Sequence, residues 1–257
     1  MELAPNPFTR ALANGEKQIG LWISLCSNFA AEVVSTAGYD WALIDMEHSA
    51  NDYFSVLGQL QAFAASSTTA LVRVEWNDAV AVKRLLDLGA PGLLFPMIQS
   101  VEEAERAVAA TRYPPDGIRG VSGVTRATAF GRITDYATRV EEETAVLLQL
   151  ETRAAVEQAE AIGALDGVSG IFFGPADIAA DIGKLGKTLD PEVWALIKPA
   201  AQKLIAKGIP VGTLVTDPCF AAELLNEGFT FVAIATDTGL LARAADAALA
   251  QTKGAMR

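Results

Sequence analysis

Short runs of Val, Ile, Leu and Phe recur along the chain at wide intervals, and the stretches between them carry apolar residues at helical spacing among Ala, Glu, Leu and Lys. Eight such runs stand out: Gly20–Leu25, Trp41–Met46, Ala70–Val74, Gly92–Met97, Val146–Leu150, Gly170–Phe173, Val211–Val215 and Phe231–Ala235. Most are apolar on both faces rather than alternating. That is the pattern of parallel strands covered by helices outside and packed side chains inside. Between them, Asn51–Ala65, Asp78–Leu88, Val101–Thr111, Ala154–Ala164, Pro191–Ala206 and Cys219–Glu227 have the length and composition of covering helices.

Eight strand-helix units predict an α/β fold, a (β/α)8 TIM barrel, and one domain over residues 1–257, since such a barrel takes roughly 200–250 residues. A doubly wound open sheet is built from the same units. Its fingerprint is missing, because no G-x-G-x-x-G follows the first run and no phosphate-binding loop pattern occurs. One connection is unusually long: Thr111 to Thr144, with the turn cluster Tyr113-Pro114-Pro115-Asp116-Gly117. Counted from the fourth strand, it is expected either as a lid over the C-terminal mouth or as an extra surface helix.

Composition sharpens this picture in three respects. With 51% hydrophobic residues the chain can bury a sizeable core unaided. The net charge of −11, without a run of Lys or Arg, argues against nucleic acid as a partner. Cys26 and Cys219 are far apart and match no zinc or disulfide spacing, which suits a reducing cytoplasm. No secretory signal or membrane-spanning run is expected.

In a barrel the chemistry sits at the C-terminal ends of the strands. There the chain places Asp45-Met46-Glu47-His48 after the second run, Arg73 in the third, Gln149-Leu150-Glu151 after the fifth, and Gly174-Pro175-Ala176-Asp177 after the sixth. Glu151 and Asp177 follow neighbouring strands, so their carboxylates can share a cation. With one histidine in the chain, an all-oxygen site suits Mg²⁺ or Mn²⁺ better than zinc. An ordinary helix cap for Asp177 and a first-turn acid for Glu151 remain open alternatives. Gly174 to Asp177 opens a helix whose free N–H groups suit an anion.

His48 is placed to move a proton near neutral pH. Arg73, in an apolar run, needs an anionic partner if buried, and can balance an enolate or a carboxylate. Trp22 and Phe172 read as pocket walls or as plain core, and Leu214 as a selectivity position. No Lys lies in any predicted strand, so imine chemistry has no support.

These residues resemble the HpcH/HpaI family of class II pyruvate aldolases nearly end to end. The likeness is carried by Gln18-Ile19-Gly20-Leu21-Trp22, Asp40 to His48, Val72-Arg73, Arg112-Tyr113-Pro114-Pro115 with Gly117-Ile118-Arg119-Gly120-Val121, Gln149 to Arg153, and Phe173 to Asp177. The resemblance implies reversible cleavage of 4-hydroxy-2-oxo acids to pyruvate or hydroxypyruvate and an aldehyde, through an enolate and a divalent metal such as Mg²⁺, Mn²⁺ or Co²⁺. It implies Glu151 and Asp177 as metal ligands, His48 in proton transfer, Arg73 at the enolate oxygen, and the backbone of Gly174, Pro175, Ala176 and Asp177 at the pyruvate carboxylate. It further implies that Asp45 and Glu47 line the site, that Gln149 lies around the metal, and that Asp87 assists His48 from a neighbouring subunit.

A homo-oligomer is also implied, a hexamer of dimers with a swapped C-terminal helix. Segment Ser122 to Ala127 departs from the family pattern, which leaves the aldehyde open. A related decarboxylase or acyl-CoA lyase, or a non-catalytic barrel that binds oxo acids, would use the same residues.

Overall fold

A computed structural model describes residues 1–256. Eight parallel strands close into a barrel in chain order, β1 to β8. They are β1 Gln18–Ile23, β2 Trp41–Asp45, β3 Thr69–Arg73, β4 Gly92–Phe95, β5 Ala145–Leu150, β6 Gly170–Phe173, β7 Val211–Leu214 and β8 Phe231–Thr236. The expected (β/α)8 architecture is therefore the observed one, with strand ends shifted by up to two residues.

The helices are α1 Pro7–Ala13, α2 Asn28–Ser35, α3 Tyr53–Phe63, α4 Ala79–Asp87, α5 Val101–Thr111, α6 Tyr136–Arg139, α7 Arg153–Glu157, α8 Ala159–Gly163, α9 Pro175–Asp181, α10 Pro191–Ala206, α11 Pro218–Asn226 and α12 Asp237–Ala255. Side-chain caps start most of them: Asp52 closes a capping box with Ser55, and Asp78, Ser100, Thr152, Asp217 and Thr236 cap their own first turns. The helix expected over Ala154–Ala164 is two short helices meeting at Gln158.

β1 stops at Ile23 rather than Leu25 for a local reason. The backbone N–H groups of Ser24 and Leu25 donate to the buried carboxylate of Asp237, at 2.9 and 3.0 Å, and so leave the ladder. The root of α12 is thereby tied to the loop after β1. Beyond that root the helix is exposed; Asp237 is its one buried residue, and Leu240, Leu241 and Leu249 face outward.

Two apolar layers hold the barrel. Between strands and helices runs the larger cluster; inside the barrel sits a smaller one with Trp22, Trp41, Leu43, Leu71, Leu147, Phe172 and Phe231. Phe8 of α1 plugs the N-terminal end, its ring 5.8 Å from Trp41 and 5.7 Å from Phe231. Gly20 and Gly212 leave room for these rings, since a Cβ on either would come within 2.2 Å of an aromatic carbon.

The long connection lies at this same N-terminal end, which corrects the expectation of a lid over the C-terminal mouth. α5 has already carried the chain back down before Arg112, so the segment meets the far end of α4: Ala127 N–H donates to Asp87 O at 3.2 Å, and Arg126 Nη1 donates to Leu88 O at 2.7 Å. Asn6 Nδ2 then links its last residues to the start of β4, through Glu143 O at 2.9 Å and Pro91 O at 2.8 Å. Of the extra helix considered for it, only the four-residue α6 forms.

Candidate active site

The C-terminal ends of β1, β2 and β3 bring Trp22, Asp45 and Arg73 together, with Asp45 and Arg73 in register across neighbouring strands. Arg73 is almost wholly buried and forks onto Asp45, Nε to Oδ1 at 2.8 Å and Nη2 to Oδ2 at 2.7 Å. Its Nη1 lies 2.7 Å from Glu47 Oε2. Nε and Nη2 thus each give one N–H to Asp45, while Nη1 meets Glu47 as an ion pair without an aligned hydrogen bond, so Nη hydrogens remain for the cavity. Burial pushes the pKa of Arg73 down, but Asp45 and Glu47 outweigh it and hold the guanidinium charged.

Asp45 has no lone pair to spare. Besides the fork it accepts from Trp22 Nε1 at 3.1 Å and from the backbone N–H groups of Glu47 at 3.0 Å and His48 at 3.3 Å. Burial raises its pKa, yet these hydrogen bonds and the Arg73 charge bring it below the usual carboxylate range. It anchors Arg73 and is not placed to take a proton. Glu47 goes the other way: burial pushes its pKa up, and Arg73 and His48 offset only part of the rise. The His48 side chain stands at the mouth, 66% exposed, with Nε2 3.9 Å from Glu47 Oε1.

Across the barrel, Glu151 follows β5 and Asp177 sits in the first turn of α9. Glu151 is 1% exposed. Burial, and then its hydrogen bond and charge interaction with Asp177, push its pKa up to about 8, although the Met97 N–H at 2.9 Å holds it down in part. Met97 reaches it from a left-handed backbone, φ 52°, uncommon for a residue with a side chain. Gly174 must be glycine here, because a Cβ would lie 2.8 Å from Glu151 Oε2.

Buried Gln149 Oε1 has no partner in this corner. Two converging carboxylates, one of which resists ionising, beside an unpartnered carbonyl oxygen form an oxygen donor set that suits a hard divalent cation. Among the described residues no group of three or more His, Cys, Asp or Glu forms, so the rest of a coordination shell would come from water and substrate.

A cavity of about 460 Å³ opens between these groups. It is lined by Trp22, His48, Arg73, Gln149, Phe172, Gly174, Pro175, Ala176, Asp177 and Leu214, while Asp45, Glu47 and Glu151 lie beneath its wall. Gly174 caps α9 without a side-chain bond, so the first N–H groups of that helix are open. Asp87 is the exception. It ends α4 at the opposite end of the barrel and pairs with Arg119 at 3.0 Å.

Sequence reasoning missed Thr188 and Leu189, which reach the cavity from the loop after α9, and Thr216, Asp217 and Pro218 after β7. Position was the signal available for the second loop, which leaves the C-terminal end of β7, whereas the first follows a helix and carries none.

Comparison with known proteins fits this geometry. The HpcH/HpaI aldolase/citrate lyase family matches residues 18–244. The chain is 49% identical to a pyruvate aldolase of Rhizobium etli over 98% of its own length and 99% of the relative's. It is 47% identical to a 4-hydroxy-2-oxo-heptane-1,7-dioate aldolase of Klebsiella pneumoniae, covering 96% of this chain and 93% of that one. The crystal structure of an HpcH/HpaI aldolase/citrate lyase family protein from Burkholderia cenocepacia superposes with a TM-score of 0.93 at 38% identity, covering 96% of this chain and 99% of the other. The chain belongs to the HpcH/HpaI aldolase/citrate lyase family, and it is a carbon–carbon lyase.

Proposed function

We propose that the protein cleaves 4-hydroxy-2-oxo acids reversibly to pyruvate, or hydroxypyruvate, and an aldehyde, with a divalent cation held by Glu151 and Asp177. The observation that carries this reading is the convergence of those two carboxylates and Gln149 Oε1 on one side of a cavity whose other side is the held guanidinium of Arg73. The bound cation supplies Lewis acidity at the keto oxygen, and Mg²⁺, Mn²⁺ and Co²⁺ all suit an oxygen donor set.

The chain's own groups do the rest. The free N–H groups at the start of α9, from Ala176 and Asp177, receive the substrate carboxylate. Arg73 directs its spare hydrogens to the C2 oxygen, where negative charge grows as the C3–C4 bond breaks and its electron pair enters the enolate. His48 at the mouth takes the proton of the C4 hydroxyl through water, and C3 regains a proton to give pyruvate. Phe172 and Trp22 enclose the three-carbon fragment, and Leu214 borders the aldehyde end.

We also assign Asp87 to the mouth of a second copy, because within one chain it lies at the far end of the barrel. The exposed apolar residues of α12 suit packing of that helix on a partner, as in a hexamer built of swapped dimers. Mixing His48→Ala with Asp87→Ala chains is expected to restore activity when subunits exchange. A fully active monomer by light scattering would remove this assembly.

The function is tested by incubating the protein with pyruvate in D₂O and following the methyl resonance by NMR. Methyl exchange that needs Mg²⁺, Mn²⁺ or Co²⁺ and stops with EDTA is the expected result. Absence of exchange in all of these metals would overturn the lyase reading, and an aldehyde panel then ranks acceptors.

A further inference from the structure

We propose that Trp22 is a positioning residue for the reaction, its indole N–H pinning Asp45 and its ring backing Arg73, so that the guanidinium stays aimed at the keto oxygen. This rests on the lyase reading above and adds a role beyond that of a cavity wall.

Trp22 stands on β1, Asp45 at the end of β2 and Arg73 at the end of β3, three consecutive strands. At 4% exposure its indole is out of water. A buried N–H commonly finds an acceptor. This protein shows that it need not: Trp41, deeper in the same barrel, has a buried Nε1 with no partner. In Trp22 the group goes to a carboxylate oxygen already in use, since Asp45 Oδ2 accepts from Trp22 Nε1 at 3.1 Å and from Arg73 Nη2 at 2.7 Å.

The consequence is mechanical. Oδ1 is fixed by Arg73 Nε and two backbone N–H groups. Oδ2 has no backbone donor, so the indole is its fixed restraint and Arg73 its mobile one. The same indole ring lies 4.9 Å from the guanidinium carbon, and Phe172 packs 5.6 Å away against the ring. Without the N–H, the carboxylate can turn and the guanidinium turns with it. An interaction needed only while charge grows on the C2 oxygen would then weaken, which lowers turnover and leaves substrate binding nearly alone.

Trp22→Phe separates the two roles, because it keeps an aromatic wall and deletes the N–H. At saturating pyruvate the methyl exchange rate is expected to fall about tenfold, with KM for pyruvate, cation affinity and Tm within about twofold or a few degrees of wild type. Exchange at the wild-type rate would overturn the proposal, leaving Trp22 as a wall. Absence of wild-type exchange in every metal would instead strike the lyase reading, whatever Trp22 does.

A second measurement needs no variant to fold: in [¹⁵N]Trp-labelled wild-type protein, four indole signals are expected, one per tryptophan. The Trp22 proton should be shifted downfield and slow to exchange, as for a bond to a buried carboxylate. A Trp22 signal at the position of a free indole would overturn the proposal irrespective of activity.

Discussion

The two ends of this barrel are built from the same eight strands and solve opposite problems. At the N-terminal end Phe8, Trp41 and Phe231 pack edge to face, and Asn6 and Glu143 tie the plug down with paired hydrogen bonds. At the C-terminal end Asp45, Arg73, Gln149 and Glu151 are buried together, and without a cation burial and Asp177 push the Glu151 pKa up to about 8. The first end adds apolar burial to the main layer between strands and helices; the second gives some stability up for chemistry. Size does not tell them apart, since the larger hollow, about 940 Å³ under the N-terminal segment, has no comparable pair of acids.

The comparison can be broken most sharply at Arg73. Arg73→Ala should slow metal-dependent pyruvate exchange by about a thousandfold, and because Asp45 and Glu47 are left unpaired it should also lower Tm. An enzyme within tenfold of wild type would mean that Arg73 only fills space. Next comes Phe8→Ala at the other end, expected to cost about 3–4 kcal/mol of stability in urea titration while KM in the surviving folded protein stays put. A large change in KM there would erase the division of labour between the ends. Gly20→Ala should cost about 2 kcal/mol by the same measurement, through the clash with Trp41.

The smallest effect concerns pH. Glu151 keeps its proton in the folded, cation-free protein up to about pH 8, well above the ordinary value of 4.5. The sign follows: this proton stabilises the folded state most below the ordinary pKa, and the contribution is lost as pH rises toward 8. A cation must displace the proton, so its apparent affinity should rise by up to about tenfold per pH unit over that window and level off above it. Calorimetric titration of Mg²⁺ or Mn²⁺ between pH 6 and 9 measures this, and a flat profile would mean that Glu151 is already ionised.

Much of this was readable from residue order. Both-face apolar runs give the strands, and charged residues within or just beyond their C-terminal ends give Asp45, Arg73, Glu151 and Asp177, because a buried charge in an apolar run needs a reason. The long connection was misplaced because its level in the barrel depends on the helix before it, not on the strand before that. Roles were harder than places: nothing in the spacing of Trp22 and Asp45 reveals the bond that removes a lone pair from Asp45. That bond depends on strand register, and register is a property of the closed sheet. Leu189 was invisible for a similar reason, since a loop residue has no periodicity to mark it.

One buried carboxylate, that of Asp237, ties the root of the last helix to the loop after the first strand, two residues past Trp22. A graft, tag or trim in the last helix is therefore not a remote alteration: its disturbance is expected in the loop that follows Trp22, where the exchange assay can register it before any loss of fold.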